Sequence, residues 1–507
     1  MLKSKFLSVN RIKPLQIYQR MMGSLPLINT PPGRFAICSI VSFISLIVYV
    51  DALSHDLVWD TLFEIQSPWI RDIKYLPNLF FSRSLDWTPN AGTPIYGPSS
   101  GILRQIQYSL FATAPWGYHL TNILLHGLST IMVFLITGTL FKKLYFEDSA
   151  LFPMAASLLF AVHPVHTEAV NWASSVAELN MSLFCLISLH LYTKADTVKY
   201  HNFVISGVLY FIALLFKVTA LFWFPVFIVY EYSIRQSAGN FHFNNRTFWK
   251  VMFKRYIPYS LAVIAYLLLR THAMGGLVPQ KGKTALGAWD AVINIFPLFT
   301  QYLKLLVLPT NLNALYVFHP FTSFSDKTVM IAVLLTGLFM AFLVIAARKN
   351  PGLFFCSFCI VMPLIPCLYL PAAGFSYYAF AERYLYLPSA GFATGVSIIL
   401  RIIYFKKPLK KMTTPLLVFI FCVTVAAWMF MTVERSHVWR NSFNLWSDTV
   451  KKSPDSPIAH NNLGAEYYRR GQLGLAMKEF EIAVSLDKFY YDAQINLINL
   501  KKRGITY

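Results

Sequence analysis

The sequence predicts an all-α fold: a polytopic membrane domain followed by a short domain of paired helices. Composition is the first observation. Only 13% of the 507 residues are charged and 56% are hydrophobic, with a mean hydropathy of +0.50. A soluble domain carries about 25% charged residues, so this chain cannot coat a water-facing surface, and soluble enzymes, disordered scaffolds and secreted disulfide frameworks are excluded. The second observation is a series of apolar runs near 35–53, 118–141, 146–163, 168–192, 203–217, 219–234, 256–272, 289–308, 328–347, 352–370, 386–404 and 414–433. Each approaches the roughly 20 residues that span a bilayer. The third is a polar tail of regular spacing from Ser453 onward.

Charge orients the runs. The excess of 44 Lys+Arg over 23 Asp+Glu, a net +21, sits mostly between apolar runs. That placement argues against nucleic acid as a partner and for the positive-inside rule. Lys3, Lys5, Arg11, Lys13, Arg20 and Arg34 precede the first run and place the N-terminus in the cytoplasm; the polar stretch before that run argues against a cleaved signal. Lys142/Lys143, Lys194/Lys199, the segment Arg235 to Arg255, Arg348/Lys349 and Lys406, Lys407, Lys410 and Lys411 belong on the same side. Twelve crossings would put Arg348/Lys349 outside. The run 289–308, with Pro297, Gln301, Lys304 and the Pro309 stop, is therefore expected to be re-entrant or interfacial. About eleven spans result, with the N-terminus inside and the C-terminus outside.

The chain divides accordingly into a cytoplasmic segment 1–34, a membrane domain 35–433 with a large outer loop 54–117, and an extracytoplasmic domain 434–507. The outer loop is near neutral, setting Asp56, Asp60, Glu64, Asp72 and Asp86 against Arg71, Lys74, Arg83 and Arg104. In the tail, Leu463, Gly464, Tyr467, Gly471, Ala476, Phe480 and Ala483 have tetratricopeptide-repeat spacing over 457–488, and the domain is expected to dock on the membrane part. All six cysteines, Cys38, Cys185, Cys356, Cys359, Cys367 and Cys422, fall in apolar runs and read as small core residues.

Ionisable groups inside apolar runs are costly and mark candidate sites. His163-Pro164-Val165-His166-Thr167-Glu168 leads into Asn171, Ser175, Glu178 and Ser182. On one continuous helix the residues from Glu168 to Ser182 share a stripe about 80° wide, which lines a cavity or, more plainly, an interhelical hydrogen-bonding face. His163, His166 and Glu168 also allow a metal site, although turn histidines more often serve as hydrogen-bonded positioning groups. Asp60, beside Trp59 and Phe63, suits a general base on a hydroxyl; the plain alternative is a helix N-cap. Arg383, flanked by Glu382, Tyr384 and Tyr386, suits a lipid phosphate, against a simple Glu382–Arg383 pair within an aromatic belt. Lys217 adds a second cation or snorkels to the interface.

Together, Trp59-Asp60, Gly117-Tyr118-His119-Leu120-Thr121-Asn122, His163 to Val170, Tyr302-Leu303-Lys304-Leu305-Leu306 with Pro309, Glu382 to Ser389 and the terminal repeat resemble the transmembrane and TPR-repeat-containing protein O-mannosyltransferases and their bacterial relatives. The resemblance implies a GT-C glycosyltransferase fold. It also implies a lipid-linked sugar donor on polyprenyl or dolichyl phosphate, with Asp60 as base and Arg383 near the lipid phosphate. Lys217, Tyr384 and Tyr386 would assist at the phosphate, and His163, His166, Glu168 and Glu178 would position sugar and acceptor. The chain departs from the family pattern at Thr61, Gly97, Val176 and Val218.

Two readings follow. One is a glycosyltransferase moving mannose or another hexose to an extracytoplasmic hydroxyl, with a protein Ser or Thr as a candidate acceptor and a protein acceptor or partner expected at the repeats. The other is a non-catalytic membrane scaffold of the same fold. A transporter is disfavoured by the lack of paired inverted halves. The Asn-x-Ser/Thr triplets at Asn180 and Asn245 fall in a run and in a cytoplasmic loop, which favours a bacterial cytoplasmic membrane over the endoplasmic reticulum.

Overall fold

The computed structural model describes residues 29–81, 96–194, 200–237, 246–276, 286–374, 379–405 and 410–502. Lys3 to Arg20, Arg83, Asp86, Lys199, Lys406 and Lys407 lie outside the described residues. Every apolar run has become helix, and among the described residues there is no strand. In chain order the membrane part comprises α1 (Pro31–Val48), α2 (Pro98–Phe111), α3 (Pro115–Tyr145), α4 (Leu151–Ala161), α5 (Val176–Lys194), α6 (Tyr200–Phe216), α7 (Phe224–Ser237), α8 (Arg246–Met274), α9 (Ala288–Val307), α10 (Lys327–Lys349), α11 (Pro351–Tyr369), α12 (Tyr386–Phe405) and α13 (Lys410–Val438). The tail adds α14 (Ser442–Lys452), α15 (Pro457–Arg469), α16 (Leu473–Leu486) and α17 (Tyr491–Lys502).

Local chemistry starts these helices where the sequence changes character. Thr30 caps α1, its Oγ1 accepting from the Gly33 amide at 3.2 Å ahead of Pro31 and Pro32. Asp326 caps α10 and Asn350 caps α11 in the same way. Met330, Ile331, Leu334, Leu338 and Ile345 on α10, and Leu416, Phe419, Val423 and Phe430 on α13, are all exposed. Apolar faces this broad belong in hydrocarbon, and the molecule is a multi-pass membrane protein. Where helices meet, small residues allow close approach: a Cβ on Gly391 of α12 would lie 2.7 Å from Cβ of Cys359 on α11. Five of the cysteines are at least partly buried, while Cys422 is exposed on α13, so it is not a core residue.

The bundle has two chemically different poles. At one, Arg34 and Lys142 pair with Asp148, Arg401 pairs with Glu147, Tyr145 donates to Asn350 at 2.7 Å, and Ser237 donates to Leu144 O at 2.9 Å. The basic ends of α3, α7, α10 and α12 thus gather on one side. The other pole carries the irregular segments 49–81, 162–175, 217–223, 308–326 and 379–385. Helix α9 is long and apolar enough to span by itself. Its contacts nevertheless place both ends at this second pole: Leu286 N donates to Pro371 O at 3.3 Å, and Leu306 O accepts from His163 Nε2 at 3.0 Å.

The expected single helix over 168–192 is broken. It runs as Thr167–Asn171, an extended Trp172, a 3-10 turn Ala173–Ser175 and then α5. Glu168 and Glu178 therefore do not share one helical stripe; they sit on two elements either side of the break. The tail docks on this pole. Val58, Trp172 and Ala314 of the membrane part pack with Trp439, Leu445, Trp446, Ala459 and Leu463 in one cluster.

Candidate active site

The break at Trp172 organises the site. Trp172 stacks on Trp59 with ring centroids 4.8 Å apart, and Trp446 of α14 meets Trp59 edge-on at 5.2 Å. Trp59 adopts φ 58°, the left-handed region, which a bulky residue takes only when its surroundings enforce it. That conformation turns the chain into the short helix Thr61–Glu64 and presents Asp60. The Asp60 side chain does not cap that helix, so the N-cap alternative is not what the structure has. Burial, with the charge of Glu64, raises the Asp60 carboxyl to about 7, and Arg383 partly opposes the rise.

Arg383 lies in the 3-10 turn Glu382–Leu385. Its backbone N–H donates to Glu168 Oε2 at 2.9 Å and its guanidinium grips Glu168 Oε1. The guanidinium also stands over Trp172 at 5.1 Å and Tyr384 at 4.9 Å. Lys217 pairs with Glu178 and lies 4.8 Å from the same Tyr384 ring. Two cations thus converge on one tyrosine, each held by a buried carboxylate, and of the five N–H donors of the Arg383 guanidinium only the one on Nη1 is given to Glu168. Glu382 does not pair with Arg383; its Oε1 accepts from Asn313 N at 2.5 Å and from the Tyr316 hydroxyl at 2.7 Å.

The remaining expected residues are placed apart from this cluster. Tyr386 is fully buried and its hydroxyl meets His126 Nδ1 at 2.9 Å, inside the bundle. His163 donates from Nε2 to Leu306 O, and His166 Nε2 meets Ser389 Oγ at 2.7 Å. Burial pushes both imidazoles down, His163 to about 4, so they are neutral and fix the turn that carries Glu168. Among the described residues, no group of three or more His, Cys, Asp or Glu side chains is arranged to hold a metal ion.

Sequence reading missed a third ion pair at this pole. Arg104 Nε lies 2.9 Å from Glu64 Oε2, and Arg104 Nη2 donates to Ala173 O at 2.7 Å. Ser174 donates to Glu64 at 3.0 Å, and Thr61 and Ser174 hydroxyls meet at 2.7 Å. These contacts fasten the Asp60 segment to the break after Trp172. The residues are 40 or more positions apart, and only the charge count of the outer loop hinted at them.

This combination of a raised carboxyl and paired cations at one pole of a membrane bundle is found in a chain with recognisable relatives. It is 27% identical over 461 residues to Protein O-mannosyl-transferase F38B6.6 of Caenorhabditis elegans, covering 88% of this chain and 62% of that protein. Its homologues are protein O-mannosyl-transferases. The TMTC3 member from Mus musculus is 23% identical over 432 residues, covering 79% of this chain and 45% of that protein. The chain thus spans 45 to 62% of the length of these O-mannosyl-transferases. No family model matches. Among solved structures, ArnT from Cupriavidus metallidurans bound to undecaprenyl phosphate aligns with a TM-score of 0.42 and 10% identity, over 94% of this chain and 79% of that one. The Archaeoglobus fulgidus oligosaccharyltransferase aligns with a TM-score of 0.40 and 14% identity, over 81% of this chain and 56% of that one.

Proposed function

We propose that this protein is a GT-C-type membrane glycosyltransferase that moves a hexose, mannose by analogy with the names of its relatives, from a polyprenyl-phosphate carrier to an extracytoplasmic hydroxyl, with a protein Ser or Thr as acceptor. The observation that carries the reading is the juxtaposition of Asp60, raised to about 7, with Arg383 and Lys217 around Tyr384. Asp60 takes the proton of the acceptor hydroxyl as its oxygen attacks the anomeric carbon. The bond to the lipid phosphate breaks on the opposite face, the configuration inverts, and the phosphate leaves as an anion stabilised by Arg383 and Lys217. Glu168 and Glu178 hold the two cations in place, while His163 and His166 set the turn behind Glu168.

In this reading α9 lies along the outer surface, eleven helices cross, the N-terminus is cytoplasmic, and the C-terminal helices form a tetratricopeptide-type domain outside. The site then faces the compartment where lipid-linked sugars are consumed, in a bacterial cytoplasmic membrane or, for a eukaryotic chain, the endoplasmic reticulum. The second reading, a non-catalytic scaffold, is favoured by Lys217 and Arg383 being neutralised already by Glu178 and Glu168. Purified full-length protein in liposomes, given radiolabelled polyprenyl-phosphate mannose and a Thr-containing peptide, separates the two. Label on the peptide with inverted anomeric configuration supports transfer; peptide binding with no release of sugar from the donor supports the scaffold.

A further inference from the structure

Among the described residues Arg104, Arg270 and Arg435 are buried arginines. Arg104 meets Glu64 and Arg435 meets Asp448. Arg270, one turn from the end of α8, is 8% exposed, and among the described residues no hydrogen bond or ion pair involves it. A guanidinium does not escape burial by losing its proton, and a buried charge without a counter-charge is strongly destabilising. Its position therefore calls for an anion that the chain itself does not supply there.

A second donor stands beside it. Tyr266, four residues earlier on the same face of α8, is fully buried, and its hydroxyl has no hydrogen-bond partner. Arg270 is close enough to act electrostatically on that hydroxyl. Tyr96 packs alongside with its ring 5.9 Å from Tyr266, and its own hydroxyl is already given to Phe80 O at 3.0 Å. The short helix Leu76–Phe81 lies against the end of α8, where Phe81 meets His272 edge-on at 5.7 Å. Nε and Nη2 of Arg435 are sealed from solvent, whereas the Arg270 nitrogens keep a narrow access.

The other face of α8 selects the ligand. Leu261, Ile264 and Leu268 form an exposed apolar stripe on a helix long and apolar enough to cross a membrane. Arg270 follows at the level where hydrocarbon gives way to headgroups, and the exposed Ile73 and Phe81 of the adjoining segment suit the same layer. An arginine that merely snorkels leaves its charged head exposed, which Arg270 does not. We propose that Arg270 and Tyr266 bind the phosphate of an anionic bilayer phospholipid whose acyl chains lie along Leu261, Ile264 and Leu268. Guanidinium and phenol donate to the phosphate oxygens, and the net negative headgroup supplies the missing counter-charge. The site is built on α8 rather than on the Arg383 turn, and it stands for an enzyme and for a scaffold alike.

The test compares the full-length chain, Arg270→Gln and Lys327→Gln, a control at an exposed lysine at the start of α10. Each is melted in nanodiscs of phosphatidylcholine and of equal parts phosphatidylcholine and phosphatidylglycerol. In phosphatidylcholine alone Arg270→Gln is expected to melt higher than the native chain, because it removes an uncompensated charge. Phosphatidylglycerol should raise the native chain and the control by about 2 °C or more and leave Arg270→Gln unmoved, so that the order reverses. Native mass spectrometry should find phosphatidylglycerol retained on the native chain and about tenfold less on Arg270→Gln. If Arg270→Gln does not fold, Tyr266→Phe keeps the ring, loses the hydroxyl and should retain less of the lipid than the native chain. Equal shifts in all three proteins, no shift in the native chain, or an Arg270→Gln that melts lower in both lipids, as an ordinary structural arginine would, overturns the proposal. So does stabilisation through Arg270 by inorganic phosphate or polyprenyl phosphate in phosphatidylcholine with none by phosphatidylglycerol, which would mark a site for a free anion or for the sugar carrier.

Discussion

Asp60 has the ionisation a base needs near neutral pH. Burial and Glu64 raise it to about 7, and the reactive form is the carboxylate, so kcat/KM is expected to climb about tenfold per pH unit below 7 and to level above it. The sign for stability is opposite. The folded chain keeps a proton on Asp60 that the unfolded chain, with an ordinary carboxyl near 3.8, releases. Stability from this group is therefore lost as pH rises through that window, and Asp60→Asn should melt higher than the native protein above pH 7, checked by thermal scans at several pH values. Glu168 is fully buried against Arg383. Glu168→Gln leaves a buried guanidinium without its counter-charge, and a loss of about 3–5 kcal/mol is expected, read as a lower melting temperature. Arg383→Lys keeps the charge but loses the flat contact with Trp172 and Tyr384, so transfer should fall about a hundredfold.

At the scale of elements, the sequence identified where helices would form better than where they would break. Every long apolar run became helix, because burying or embedding twenty apolar residues overrides local propensity. The break at Trp172–Ser175 was invisible: the segment has neither Pro nor Gly, and the extended conformation is imposed by stacking on Trp59 and by Arg104 reaching Ala173 O. Tyr386 was misdirected for a related reason, since only the start of α12 decides which tyrosine faces Arg383 and which faces His126. Gly464 shows the reverse, a small residue whose purpose was legible. A Cβ there would lie 2.7 Å from the Phe480 ring, so Gly464→Ala should loosen α15 from α16 by about 1–3 kcal/mol, seen as faster limited proteolysis of the tail with the membrane part intact.

At the scale of the molecule, Arg34, Lys142 and Arg401 gather with Asp148 and Glu147 at one pole, and the buried pairs Arg383–Glu168 and Lys217–Glu178 lie at the other. Cysteine labelling in a Cys422→Ser background, whose five remaining native cysteines are buried or half-buried, tests the orientation: Thr322→Cys should react with a membrane-impermeant maleimide in intact cells, and Lys349→Cys only after permeabilisation. The tail is part of the pole that carries Asp60, since Trp446 packs on Trp59 and Asp56 N donates to Arg440 O at 2.9 Å. Removing 434–507 would uncover that aromatic cluster, so a deletion cannot tell scaffold from enzyme. A point change can: Trp446→Ala is expected to lower transfer even to a single blocked threonine, whereas Trp446→Phe should retain most of it. The most direct measurement is sugar transfer by reconstituted full-length protein and by Asp60→Asn matched for folding, with radiolabelled polyprenyl-phosphate mannose and a Thr peptide. Activity in the native chain that falls by about 10²–10⁴ in Asp60→Asn is the expected result, and undiminished transfer by Asp60→Asn would contradict it.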